Sequence, residues 1–438
     1  MNNPDINTRL KIFNILVDNE IKSIRIDYIL SSDSTFENYS PQDIRFIHKI
    51  VYGIIRHRSK LDYYISKYYK GKFKKCLIKH KIILRIGIFQ LFYMDSIPNY
   101  AAVNTTVELC KKVSFSKVSL INALMRKLSD NIDLKNQSIA ESAIRFSHPK
   151  WLIKKWTNKW GDDKVLQLLK WNNSEPKIWF RVNTLKISID KMHSKLQDMN
   201  IDFYAHSVLN EFFYSDSIQI LLKSDMMSQN FISVQNPANG LVVKLLDPQK
   251  KTSIFDGCCA PGSKSMYINE LTNGQVKINA YDIDARRIHV MNESLDKNSI
   301  KNITCYQRDL GKESIPNYDV GLIDVPCTGT GVISKRLDIK WRRTEEDILE
   351  MSKLQSSIIS NVSQYLNSGG VLVYSTCSIE KEENWEIVNN FLNSNNNFKL
   401  DIANNYIPNE YVDENGCLSI FPPTHGLDGI FAARLIKE

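Results

Sequence analysis

The chain has 438 residues, 43% of them hydrophobic and 24% charged, a globular composition that excludes a wholly disordered chain and fills two or three cores. No apolar run reaches the roughly 18 residues of a membrane span, and the polar stretch Met1–Arg9 lacks the apolar centre of a secretory signal, so a cytoplasmic protein is expected. The net charge of +9 is uneven: residues 1–150 carry 25 Lys and Arg against 13 Asp and Glu, which is +12 and leaves −3 for the rest.

Residues 1–145 read as an all-helical domain. Apolar residues recur at helical spacing from Asp5 to Val17. Ser40-Pro41-Gln42-Asp43 has a capping hydroxyl, a proline in the first turn and a carboxylate three residues after the cap, which predicts a helix start. Ile44, Ile47, Val51, Ile54 and Ile55 then form one stripe. Further helices are predicted over Ile82–Tyr93, Tyr100–Lys112 and Val118–Leu128. Between Arg56 and Arg85, eleven basic residues face only Asp62, with Tyr63, Tyr64, Tyr68, Tyr69 and Phe73 among them. Such a segment attracts polyphosphate by releasing counterions, or it is a solvated helical face; charge alone weighs the two evenly.

His148-Pro149 interrupts this texture, and a short connector holding Trp151, Trp156, Trp160 and Trp171 follows. Residues 146–235 read as a small α+β domain, with a strand at Ile178–Val182 and a helix at Ile189–Met199. From Lys251 the texture changes again. Strand-like runs at Ser253–Gly257, Lys277–Asp282, Asn302–Gln307, Asp319–Asp324 and Gly370–Ser375 alternate with helical stretches, so residues 236–438 are expected to form an α/β domain with a parallel sheet. Asn393–Asn397 is a predicted surface loop. The eight cysteines are scattered and no two are separated by two residues, which excludes a disulfide framework and the common zinc spacing, so no metal is expected.

Three strand ends carry chemistry. Cys258-Cys259-Ala260-Pro261-Gly262-Ser263-Lys264 follows the first strand, where small residues let the backbone approach a ligand. Asp282, about 20 residues on, is the candidate for ribose hydroxyls, and Asp309 after the third strand is the candidate for an adenine amino group. Asp324-Val325-Pro326-Cys327 ends the fourth strand and Thr376-Cys377-Ser378 the fifth. Adjacent strand ends lie about 5 Å apart, so the thiols of Cys327 and Cys377 can face one pocket. A thiolate suits a carbon nucleophile that must be made: carbon 5 of cytosine becomes nucleophilic only after addition at carbon 6.

Together these motifs resemble the RNA cytosine-C5 methyltransferase family. The segments Ile97-Pro98-Asn99-Tyr100-Ala101-Ala102, Leu120–Arg126 and Ser147–Leu152 are similar to the branch of it that carries a NusB-like helical RNA-binding domain. The resemblance covers nearly the whole chain. It implies a Rossmann-like methyltransferase domain over 236–438, S-adenosylmethionine as cofactor, and 16S rRNA or a small ribosomal subunit precursor as partner, with a monomer expected. It implies further that Cys258, Cys259, Ala260, Pro261, Gly262, Ser263, Lys264, Asp282, Asp309 and Asp324 bind or flank the cofactor. Cys377 would attack carbon 6, Cys327 would assist removal of the carbon 5 proton and release of Cys377, and Asp324 would donate a hydrogen bond to ring nitrogen 3. That last role requires a protonated carboxyl in a desolvated pocket. Two positions depart from the family pattern: Ser263 stands at the second glycine of the loop, and Asn236 stands where an acid is usual. Arg181-Val182-Asn183 matches a segment that approaches the family's site. The rival readings are the same chemistry on tRNA or another rRNA site, and a non-catalytic, antitermination-like RNA-binding protein.

Overall fold

The computed structural model describes residues 4–248 and 253–438. The change of texture read at Lys251, and the first three residues of Met1–Arg9, lie outside them. The chain divides into two compact units, the first running to Ser174 and taking in Ile333–Arg343, the second comprising Glu175–Val332 and Thr344–Glu438.

The first unit is helical. Its principal helices are Pro4–Ile21, Pro41–Tyr68, Ile78–Tyr93, Asn99–Val113, Val118–Asp130 and Lys150–Asn173. Ser40 caps the second of these as its sequence predicts, accepting from Asp43 N at 3.1 Å. Ile78–Tyr93 is buried on all sides from Ile82 to Phe92, which makes it the central helix. The stripe Ile47, Val51, Ile54 and Ile55 packs in the same core. The short connector expected after Pro149 is instead a 24-residue helix kinked at Gly161, with Leu152, Trp156, Val165, Leu168 and Leu169 buried. The broken periodicity at the kink hid it. Residues 333–343 complete the unit. Leu337 and Trp341 join its core, Trp341 Nε1 donates to Ile55 O at 2.8 Å, and the buried Lys340 Nζ donates to Arg56 O and Asn173 Oδ1, each at 3.1 Å.

The second unit holds two sheets. The smaller is antiparallel: β1 (Trp179–Val182), β2 (Tyr204–Ala205), β3 (Phe212–Tyr214) and β4 (Ile232–Val234), in the order β2-β3-β1-β4. The helix Ile189–Asp198 belongs with it, capped by Ser188. The larger sheet comprises β5 (Ser253–Gly257), β6 (Lys277–Asp282), β7 (Ile303–Gln307), β8 (Tyr318–Asp324), β9 (Leu366–Thr376), β10 (Phe398–Asp401), β11 (Leu418–Ser419) and β12 (Phe431–Lys437). Its order is β10-β12-β9-β8-β5-β6-β7, with β11 pairing β12. The five strands predicted from the sequence are the parallel ones. The remainder corrects that expectation: β12 runs antiparallel between β9 and β10, so the sheet is mixed. The chain order reverses between β5 and β8, and the crevice beyond the carboxyl ends of these strands is where such sheets bind ligands.

Candidate active site

The turn after β5 bends the chain toward this crevice. Cys258 (φ 57°) and Gly262 (φ 94°) both adopt left-handed backbone, and a Cβ on Gly262 would meet Met291 at 2.8 Å. The positive φ favours glycine there, and any larger residue would also have to displace the Met291 side chain. Ser263 opens the helix Ser263–Leu271 with its side chain exposed, so the departure from glycine is accommodated without strain. Asp282, at the end of β6, supports the turn from below: its Oδ2 accepts from Ala260 N at 3.1 Å and its Oδ1 from Asp284 N at 3.0 Å. Arg287 stands 3.5 Å from it. Beside it Ile283 is 62% exposed, an apolar surface at the end of β6 that sequence reasoning passed over. Asp309 follows β7, where its Oδ1 accepts from Gly311 N at 3.0 Å and its Oδ2 lies 3.3 Å from Lys312.

Beneath the turn, Asp256 is fully buried. Its Oδ2 accepts from Ser265 Oγ, and its Oδ1 has no hydrogen-bond partner. Burial raises its carboxyl to about 7. A second support was legible only as a matching segment. Arg181 of β1, itself buried, grips Glu270 through Nε (2.9 Å) and Nη2 (2.7 Å) and donates to Ser263 O at 3.2 Å and to Gln235. Asn236 caps the helix Pro237–Leu246, its Oδ1 accepting from Ala238 N at 3.0 Å. An amide oxygen serves that purpose as a carboxylate would.

The ends of β8 and β9 are register neighbours, Asp324 opposite Ser375. They bring Cys327 Sγ to 3.1 Å from Cys377 Sγ. Asp324 Oδ1 accepts from Ser375 Oγ at 2.9 Å and Oδ2 from Lys264 Nζ at 2.6 Å. The desolvated pocket expected around Asp324 is thus not what surrounds it: the side chain is 34% exposed and paired with an ammonium group. Its hydrogen bond to Cys377, together with burial, raises the Cys327 thiol well above its ordinary range.

Glu383 organises the two cysteine loops and was not singled out from the sequence. It is wholly buried. Its Oε1 accepts from Thr328 N (2.8 Å) and Gln355 Nε2 (3.0 Å), and its Oε2 from the hydroxyls of Thr328 and Ser378. One carboxylate thus ties the residue after Cys327 to the residue after Cys377. The same loops close at Gly331, whose N donates to Cys377 O at 3.0 Å. A Cβ there would stand 2.2 Å from Gly429 O, so the approach admits only glycine. Among the described residues no cluster of His, Cys, Asp and Glu could hold a metal ion, and no helix is long and apolar enough to cross a membrane.

Residues 243–436 match a family model described as 16S rRNA methyltransferase RsmB/F, residues 6–130 match the NusB family, and residues 148–214 match the ferredoxin-like domain of RsmF/B-like methyltransferases. The chain is 30% identical to ribosomal RNA small subunit methyltransferase B of Shewanella oneidensis, over 91% of this chain and 92% of that one. It is 28% identical to the probable ribosomal RNA small subunit methyltransferase B of Synechocystis sp., over 99% of this chain and 100% of the relative. In fold it is similar to the crystal structure of PH0851, with a TM-score of 0.79, 23% identity and full coverage of both chains.

Proposed function

Because the chain belongs to the 16S rRNA methyltransferase RsmB/F family, we propose that it transfers a methyl group from S-adenosylmethionine to carbon 5 of a specific cytosine in 16S rRNA, through a covalent bond between Cys377 and carbon 6. The observation that carries this reading is the pair of thiols 3.1 Å apart beside Asp324, at adjacent ends of parallel strands. An enzyme that methylates an amino group needs neither thiol.

The donor set fits the cofactor. Small residues and a left-handed glycine form the turn, a buried carboxylate oxygen without a partner lies beneath it, and Asp282 and Ile283 offer a hydrogen-bond acceptor and an apolar face at the next strand end. Cys258–Lys264, Asp282, Asp309 and Asp324 would hold it or lie beside it. When bound, S-adenosylmethionine supplies an electrophilic methyl carbon. The Cys377 thiolate adds to carbon 6 of the ring, and the ring electrons move toward carbon 5 as the Asp324–Lys264 pair supplies a proton or hydrogen bond to nitrogen 3. Lys264 Nζ, 2.6 Å from Asp324 Oδ2, is the donor of that pair. After methylation, Cys327 removes the carbon 5 proton as a base. The electrons returning to the ring expel Cys377 and restore the aromatic system. The target base must be unpaired or turned out of its stack to be reached.

The test is covalent. With S-adenosylmethionine and 16S rRNA, Cys327→Ala should accumulate a protein–RNA adduct on a denaturing gel, and Cys377→Ala should form none. Adduct from the Cys377 variant would reverse the two roles. Bisulfite sequencing of 16S rRNA from a deletion strain should show one methylcytosine lost; an unchanged pattern would exclude this substrate.

A further inference from the structure

We infer that Cys327 and Cys377 form a reversible redox switch: a peroxide joins them as a disulfide that stops methyl transfer, and a dithiol reductant reopens it. The inference rests on the reading above, in which these two thiols carry the chemistry, and adds a mode of regulation at the same site.

Geometry supports it first. The two Sγ atoms are 3.1 Å apart, and a disulfide of about 2.05 Å needs them only about 1 Å closer. The loops that carry them are fastened to each other at successive positions. Glu383 ties Thr328 to Ser378. Gly331 N donates to Cys377 O at 3.0 Å. Thr330 Oγ1 lies 3.2 Å from Ser378 Oγ and accepts from Ile379 N at 3.2 Å. Each thiol is therefore held as the other's standing neighbour, at high effective concentration.

Access supports it second. Cys76, Cys110, Cys259 and Cys417 are buried, whereas Cys258, Cys305, Cys327 and Cys377 are half-buried. A site that admits a pyrimidine ring admits a peroxide. Cys258 has Cys259 beside it in the chain, but adjacent Cα atoms stand about 3.8 Å apart, short of the roughly 4.4 Å that a disulfide spans. Cys259 Sγ contacts Met291 Sδ at 3.8 Å, a sulfur that forms no disulfide.

The chemistry balances with the peroxide as oxidant. The Cys377 thiolate attacks one peroxide oxygen, the O–O bond breaks, and a sulfenic acid and hydroxide result. Hydroxide takes the Cys327 proton and becomes water. The Cys327 thiolate then attacks the sulfenic sulfur, the S–S bond forms, and hydroxide leaves. The two sulfurs lose two electrons and the two peroxide oxygens gain them. A thiolate without a neighbour continues up the ladder to sulfinic acid, which a thiol reductant does not reverse; a resolving cysteine stops it at the disulfide. The disulfide withdraws the attacking thiol and its assisting partner together, so no thiolate remains to reach carbon 6.

The experiment treats the reduced full-length enzyme with a small molar excess of hydrogen peroxide. Wild type should lose two of its eight reduced thiols, and digestion should give one peptide pair, Cys327 joined to Cys377. Transfer to 16S rRNA should fall at least about tenfold and return to within about twofold of its starting rate after dithiothreitol. Cys327→Ala should show no such link, and its Cys377 should instead reach the sulfinic acid and stay there in dithiothreitol. Peptide masses read these outcomes without reference to activity. Eight thiols still reduced, a link through Cys258, Cys259 or Cys305, or sulfinic acid on Cys377 in wild type would overturn the switch. So would a complete Cys327–Cys377 link in an enzyme that methylates at its reduced rate. If the reduced wild type transfers no methyl group to 16S rRNA, the functional reading falls; a Cys327–Cys377 link in the peptides then upholds the thiol pairing, and its absence overturns that as well.

Discussion

At the carboxyl ends of β8 and β9, one buried carboxylate accepts four hydrogen bonds and two thiols are held within 3.1 Å. At the lysine-rich end of the helical unit, Lys111, Lys112 and Lys117 stand exposed around an uncovered Phe115. The first arrangement leaves its reacting atoms almost no freedom, as bond formation at a chosen carbon demands. The second keeps its freedom, and attracting phosphates requires charge density rather than fixed geometry. The same chain thus concentrates polar satisfaction where covalent chemistry is proposed and leaves it to solvent on the lysine-rich face. Mutations should therefore read very differently in the two places.

The largest effect is expected at the nucleophile. Cys377→Ala should reduce methyl incorporation by at least about a thousandfold, measured with a labelled methyl donor, while changing thermal stability little. Retained activity would move the chemistry elsewhere. Next comes Glu383→Gln, which removes the charge and forces the Thr328 and Ser378 hydroxyls to turn from donors to acceptors or lose their partner. Loss of this buried carboxylate should destabilise the second unit by roughly 1–3 kcal/mol, read from denaturant unfolding, and should slow methyl transfer as well. A stable variant with normal rates would show that the two cysteine loops do not depend on it.

Asp256 gives a pH-dependent test of the same region. Its carboxyl lies at about 7 in the fold against an ordinary 3.8. The folded chain thus binds this proton more tightly than the unfolded chain. That stabilisation is full below about pH 4 and is lost as pH rises through about 7. Asp256→Asn carries no titrating proton, so its melting temperature should fall less than that of the wild type between about pH 5 and about pH 8. Parallel curves for the two proteins would contradict the assignment. The smallest effect belongs to the exposed lysines: the Lys111, Lys112 and Lys117 reversals should change folding stability by no more than about 0.5 kcal/mol, whatever they do to RNA affinity.

Legibility in the sequence followed the same division. Period, with one cap, located five helices of the first unit and all five parallel strands, because buried faces impose a regular pattern. The glycine-containing turn, Asp324 and the two cysteines were found because strand ends are where such residues carry chemistry. The helix Lys150–Asn173 was missed because its kink at Gly161 interrupts the period. β10 and β12 were missed because the expectation of a parallel sheet left no place for antiparallel strands beside β9. Glu383 was missed for a deeper reason. Three of its four hydrogen bonds come from residues 28 or 55 positions away in the chain, and local sequence cannot distinguish a buried acid from a solvated one. Likewise, only the fold separates the arginines that brace the helices, Arg58 and Arg85, from the lysines that face outward.

Residues 333–343 supply the helical unit with Leu337, Trp341 and the ammonium group of Lys340, which satisfies Arg56 O and Asn173 Oδ1. During vectorial synthesis from the amino terminus, the first 174 residues leave the ribosome long before this segment does. The nascent helical bundle must wait, with a gap in its wall, until position 343 has emerged from the exit tunnel. A gene fragment ending at Ser174 would make that unfinished state permanent, and a synthetic peptide of residues 333–343 added in trans should raise its melting point.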